Sequence, residues 1–188
     1  DPSPVASPKP AEQKPTPTPP VAKVEPPRDT AEHARQRVAA LNTILEAEPQ
    51  DIRALQERNK WNRQLGQWRE AAADLEVLAD LGAKHSSMRM QVGYIAALGG
   101  DLERYRRTCR TMIEQFSDSD NLEDMERVCK APLLIAGEFK IADLPLERFE
   151  KMIKPDEPDK GPTYWACTTR AYVAIRAGQP AEALDWLA

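Results

Sequence analysis

The chain has 188 residues, a formal charge of −4 and 17 prolines, ten of which fall within the first 28 positions. Its longest apolar runs, such as residues 131–137, fall far short of the roughly 18 residues a membrane span needs, so no span is expected within this chain. The mildly acidic balance argues against a nucleic-acid binder driven by net charge.

Residues 1–28 read DPSPVASPKPAEQKPTPTPPVAKVEPPR. Each proline fixes φ and removes a backbone donor, so neither helix nor sheet propagates. The apolar content is alanine and valine, too little to offset chain entropy. A disordered, semi-rigid polyproline spacer is expected, reaching roughly 3.1 Å per residue where extended, or about 85 Å in all. Pro17-Thr18-Pro19-Pro20 satisfies P-x-x-P, and Ser3, Ser7, Thr16 and Thr18 each precede a proline as candidate modification sites. The plain linker is the favoured reading, because this composition generates such matches by chance.

Residues 29–188 form the folding body. Asp29 with Glu32 gives a capping-box-like start, and Ala31, Ala34, Val38, Leu41 and Leu45 then recur at helical spacing until Glu48-Pro49. Asp51 opens a second helix with Ile52, Leu55, Trp61 and Leu65 as apolar members, and Gly66 stops it. Trp68 begins a third, carrying Ala71, Ala72, Leu75, Leu78 and Leu81. A fourth carries Met88, Val92, Ile95 and Leu98 and breaks at Gly99-Gly100; Asp101 caps a fifth with Leu102, Tyr105, Cys109, Met112, Ile113 and Phe116. No convincing period-two alternation occurs, so the chain reads as all-α.

Gly66 and Gly100 lie 34 residues apart, within Leu65-Gly66-Gln67-Trp68-Arg69-Glu70-Ala71 and Gly99-Gly100-Asp101-Leu102-Glu103-Arg104-Tyr105. A third copy is Ala177-Gly178-Gln179-Pro180-Ala181-Glu182-Ala183, 78 residues beyond Gly100, which is two periods plus ten. Thirty-four residues hold two helices and two tight turns, and the glycine permits the sharp reversal between them. This spacing, with Trp68, Ala71, Leu75 and Leu78 in one second helix and Gly93, Leu102, Cys109 and Met112 in the next unit, resembles the tetratricopeptide repeat. The resemblance implies an antiparallel helix-pair solenoid over residues 29–188, of about four units with the last truncated. Departures are Arg58, Asn59 and Asn62 at sites the family fills with leucine, glycine and an aromatic. Tyr105 replaces a small alanine, so that helix pair is expected to splay. Pro132 and Leu144-Pro145-Leu146 interrupt a third unit lengthened by about ten residues.

The spacer followed by residues 65–84 and 100–134 is also similar to a segment of large bacterial multi-domain proteins, where it follows a serine/threonine kinase domain and a membrane span. That similarity implies a kinase upstream of Asp1 and, with a membrane-anchored parent, an extracytoplasmic location for this region; without one the location is cytoplasmic. No Gly-rich kinase loop, H-R-D or D-F-G occurs in this chain, and neither do G-x-S-x-G, Walker A or H-E-x-x-H. The chain starts at Asp1 and stops inside a helical pattern, so a fragment of something longer is expected, with self-association through the exposed face of the truncated last unit.

Cys109, Cys129 and Cys167 are widely spaced, lack a C-x-x-C and have only His33 and His85 beside them, too few for a structural zinc site; buried thiols are favoured over a disulfide pair. Asp118-Ser119-Asp120-Asn121 with Glu123 and Asp124 has the composition of a calcium loop but lacks its glycine and terminal glutamate, and reads instead as a cap for the helix from Leu122. Arg104, Arg106, Arg107 and Arg110 are read as a solvated face paired with acids such as Glu103, Glu114 and Glu123. No catalytic residue, cofactor or metal is expected.

By the resemblance, the first helix of each pair lines the ligand-binding concave face. It implies a groove of Arg53, Gln56, Lys60 and Arg63 in one unit, Tyr94 in the next, and Trp165 and Tyr172 in the last. Basic and polar groups beside aromatics suit an extended peptide or a partner helix. Gln56 stands where the family's carboxylate clamp has lysine, which argues against that mode.

Overall fold

A computed structural model describes residues 31–82, 85–154 and 161–187. The spacer and the expected start at Asp29 lie outside the described residues. Among those described there is no strand, and the helices are α1 (Ala31–Ala47), α2 (Ile52–Gln64), α3 (Trp68–Leu81), α4 (Ser86–Leu98), α5 (Leu102–Phe116), α6 (Leu122–Lys130), α7 (Leu146–Met152), α8 (Gly161–Arg176) and α9 (Pro180–Asp185). They pack in consecutive pairs: α2 with α3, α4 with α5, α6 with α7 and α8 with α9; α1 lies on α2, and α6 also packs on α4 and α8.

The chain starts and stops these helices by repeated local chemistry. The Asp51 carboxylate accepts the Ala54 amide at 2.9 Å, and Asp101 does the same for Arg104 at 3.1 Å. Asn121 accepts from Glu123 and Asp124, so the acidic run is a helix cap. Gly66, Gly100 and Gly178 adopt φ of 71°, 64° and 76°. Across each, the amide of the next residue bonds five residues back: Gln67 to Asn62 at 2.8 Å, Asp101 to Ala96 at 2.9 Å and Gln179 to Ala174 at 2.9 Å. These three turns share one hydrogen-bonding pattern, which only a residue tolerant of left-handed backbone closes without strain.

Where the helices of a pair cross, size is exchanged between partners. Asn59 of α2 meets Ala71 of α3 and donates to its carbonyl at 2.7 Å. Thirty-four residues on, the sizes reverse: Gly93 of α4 meets Tyr105 of α5, whose ring lies 3.9 Å from where a Gly93 Cβ would stand. Tyr105 is fully buried and its hydroxyl donates to the Ala131 carbonyl at 2.8 Å. The expected splaying is therefore corrected: α4 and α5 pack as closely as α2 and α3, because glycine yields the volume that tyrosine takes.

Polar substitutions in α2 build a network, which leaves the buried Asn62 Oδ1 without a hydrogen-bond partner. Arg58 Nη2 lies 2.6 Å from Asp74 Oδ1, its Nη1 donates to Asn42 at 2.9 Å, and Asn62 approaches Asp74 at 3.4 Å. Asp74 is 1% exposed, and burial pushes its carboxyl upward against the pull of Arg58. The positions 34 residues later are Val92, Ala96 and Thr108, all buried.

One apolar core runs through α1 to α5 and takes in Val128 of α6 and Ala131 of the turn after it. Beyond it lie three small clusters, around Met125, Cys129 and Phe149, around Leu133, Leu144 and Val173, and around Ala171, Ala174 and Ala183. The break begins where α6 gives way at Lys130 to a 3-10 turn containing buried Pro132, and Pro145 directly precedes the short α7. Four large apolar residues expected in the core are not in it: Ile52, Leu81, Leu98 and Leu102 are 52%, 37%, 63% and 37% exposed, each at the first or last position of its helix.

Candidate functional site

The expected groove residues fall into two groups. Arg53, Gln56, Lys60 and Arg63 are all exposed on α2. At 3.6 residues per turn they occupy one arc of about 80°. None of the three cations has a carboxylate partner among the described residues, although Lys60 Nζ lies 5.4 Å from the Trp61 ring centroid. The fourth cation of α2, Arg58, points the other way into the Asp74 network.

The second group gathers where α4, α6 and α8 meet. A cleft of about 460 Å³ is walled by Met90, Glu126, Lys130, Pro162 and Trp165. Trp165 is 58% exposed and stands edge-on to Tyr164 at 5.3 Å. Glu126 is buried beneath it, accepting from Thr169 Oγ1 at 2.6 Å and from Lys130. Arg127 pairs with Glu123 at 2.7 Å. The cleft's charges are thus matched internally.

One turn further along α4 a second cleft, of about 360 Å³, lies between Tyr94, Ala97 and Leu98 and the residues Leu134 and Ile135. Burial pushes the Tyr94 hydroxyl up to about 12, with Glu126 and Tyr172 adding to the effect. Tyr172, at the same repeat position as Tyr94, donates to the Leu133 carbonyl at 2.7 Å and accepts from Arg176 Nη2 at 2.7 Å. Tyr94, Trp165 and Tyr172 are therefore brought to one face, each in a different role: half-buried wall, exposed platform and backbone clamp.

Other candidates resolve into structure. Three of the four arginines of α5 are paired, and not with the acids expected: Arg104 and Arg107 reach Glu76 at 2.9 and 2.8 Å, Arg106 reaches Glu138, Arg104 also pairs with Asp101 three residues before it, and Arg110 has no ion pair among the described residues. Burial raises Glu76, but Arg107 and Arg104 together outweigh it and hold its carboxyl below the ordinary value. Cys109 and Cys129 are buried free thiols pushed up to about 12 by burial, and Cys167 is half-buried. Among the described residues no group of three His, Cys, Asp or Glu is placed to hold a metal, and no helix is long and apolar enough to cross a membrane. Asp120 pairs with Arg148 at 2.6 Å and Asp124 accepts from Ser119 at 3.0 Å, which accounts for the acidic run.

Sequence reasoning missed two features. The Arg58–Asp74 pair had a signal, an aspartate inside the apolar stripe of α3, opposite the three polar departures of α2. The Tyr94 cleft had none on its far wall, because Leu134 and Ile135 follow the Pro132 break, where helical periodicity no longer assigns a face.

Comparison with known proteins finds no matching family model, no matching curated protein and no matching solved structure.

Proposed function

We propose that this chain is a non-catalytic protein-interaction scaffold of the tetratricopeptide type, which takes a peptide or partner helix along the face carried by α2, α4, α6 and α8. One observation carries the reading: Tyr94 and Trp165, on helices from two different pairs, each line a cleft whose other wall comes from α6 or the turn after it, and Tyr172 bonds the backbone of that turn at Leu133. A surface that spans several pairs suits an extended ligand, and exposed aromatics beside matched charges give it area to bury. The unpaired cations of α2 favour acidic residues at that end of the ligand. The proline-rich spacer sets reach and local concentration.

The experiment is affinity capture with the full chain, comparing wild type with Lys60→Glu/Arg63→Glu and with Trp165→Ala. All three positions are exposed, so the variants should fold, which circular dichroism checks. Partners lost in either variant support the groove. A partner list unchanged in both overturns it.

A second reading rests on the similarity of residues 65–84 and 100–134 to regions following bacterial kinase domains. There the same face would serve a regulatory module of a membrane-anchored kinase, outside the cytoplasm. The gene upstream of Asp1 discriminates: a kinase domain and span there favour this reading, and their absence removes it.

A further inference from the structure

We propose that the cleft between Tyr94, Ala97 and Leu98 of α4 and Leu134 and Ile135 is an anchor subsite for a large aliphatic side chain that stands next to an acidic residue in the peptide partner. The inference rests on the reading of this face as a peptide-binding surface and names the chemistry that one part of it selects.

The far wall is built before any ligand arrives. The Leu133 carbonyl takes the Tyr172 hydroxyl at 2.7 Å, the Leu134 carbonyl takes Arg176 Nη2 at 3.1 Å, and the Ile135 amide donates to the Tyr105 hydroxyl at 3.4 Å. Three side chains from two helices thus satisfy the backbone of a turn that has no ladder of its own. What remains to face the cleft is side chain, and a wall fixed in advance spares a ligand the ordering cost. Opposite it Leu98 is 63% exposed, an apolar surface left in water at the rim. The volume of about 360 Å³ accommodates one aliphatic side chain with the backbone beside it.

Two polar groups set the rest of the recognition. The Tyr94 hydroxyl has no hydrogen-bond partner among the described residues, and its upward shift keeps it protonated, a donor for a ligand carbonyl. Arg176 sits over the Tyr172 ring at 5.1 Å, and its guanidinium has no carboxylate partner among the described residues. Its Nη1 is unused there, since the bonds it makes run through Nε and Nη2. Arg176 does not line the cleft but bonds the carbonyl of Leu134, which does, and an unpaired cation next to an apolar wall is complementary to a carboxylate adjoining an apolar group. The nearby acid, Glu126, does not compete, because Lys130 and Thr169 hold it.

The test is selection of a random peptide library, displayed on phage, against the full chain, followed by binding measurements on the enriched sequence made synthetically. The expected result is an enriched aliphatic–acidic pair. Replacing its aliphatic residue by serine should weaken binding by about tenfold or more. Arg176→Gln should weaken the acidic peptide by about threefold and leave its Glu→Gln counterpart unchanged. Arg176→Glu should prefer a peptide with lysine in place of the acid, a rescue that a folding defect does not produce. Tyr94→Phe, which removes one hydroxyl, should weaken both peptides alike. Enriched peptides that lack the pair, or that ignore Arg176→Gln, overturn the anchor. If those same peptides respond to Lys60→Glu/Arg63→Glu or Trp165→Ala, the groove stands without this subsite. No enrichment at all overturns both.

Discussion

The segment from α1 to α5 and the segment from α6 to α9 use the same kind of glycine turn, yet the continuous core belongs to the first, and its buried residues beyond α5 are only Val128 and Ala131. In the first, an unbroken 34-residue period places every apolar stripe against the next. In the second, Pro132 ends α6 early, α7 is reduced to seven residues, and burial divides among three clusters. The polar positions show the same contrast. The site filled by Arg58 with Asp74 is filled by Val92 with Thr108 in the next pair and by Arg170 with Trp186 in the last, where the guanidinium lies 5.5 Å from the indole ring centroid. The lesson is that a repeat fixes where side chains meet and leaves open how each meeting is stabilised.

The largest test of that contrast lies in two aromatic truncations. Tyr105→Ala should cost about 4 kcal/mol, because it opens a cavity and strips a hydrogen bond from the Ala131 carbonyl. Urea unfolding followed by circular dichroism should show the loss in the main transition. Phe149→Ala, in a small cluster, should instead speed hydrogen exchange in α6 to α9 while α1 to α5 stay protected. Equal loss of protection everywhere in both variants would make the chain one cooperative unit and erase the distinction.

A smaller effect sharpens it. Gly100→Ala forces alanine into left-handed backbone at a cost of about 1–2 kcal/mol. Gly178→Ala imposes the same strain, but α9 is short and Leu184 and Leu187 are already 69% and 58% exposed. Its melting temperature should therefore move less than that of Gly100→Ala, with fraying confined to the α8–α9 turn in exchange data. A larger shift for Gly178→Ala would show that α9 anchors the fold.

The smallest effect is electrostatic. Glu76 titrates below its ordinary value in the folded state, so its contribution is present above the unfolded value and is lost as pH falls through the folded one. Asp74, two residues away, is shifted upward, so its contribution is present below the unfolded value and declines as pH rises through the folded one. Glu76→Gln should flatten the acid side of the stability curve by less than about 1 kcal/mol between about pH 7 and about pH 3, seen in urea midpoints. An unchanged curve would mean that the arginines Arg104 and Arg107 gain nothing measurable from Glu76.

Much of this architecture was legible in the sequence, for reasons that lie in backbone chemistry. Gly66, Gly100 and Gly178 mark reversals that only glycine closes easily, and Asp51 and Asp101 announce helix starts by a bond to a residue three positions on. Tyr94 and Tyr172 are placed in the groove by the resemblance alone. Other features were not legible. Ile52 and Leu98 look like core residues by spacing, yet they sit at helix ends, where no neighbouring helix covers them. The long-range partners of Arg104, Arg106 and Arg107 come from about 30 residues away, a distance at which local charge pattern says nothing. The wall of Leu134 and Ile135 depends on three long-range bonds to a turn with no periodicity.

The reversed sizes at the two helix crossings bear on how the chain finds its own fold. A polymer that repeats itself invites wrong partnerships between copies, within one molecule or between two. Here α4 laid against α3 in the manner of its own partner would set Gly93 beside Ala71 and leave a hole, while α2 against α5 would force Asn59 into the Tyr105 ring. Both mismatches are penalised, one by lost contact and one by overcrowding. The two pairs are cut like a lock and its own key, so a helix that docks out of turn during folding fits badly and is released.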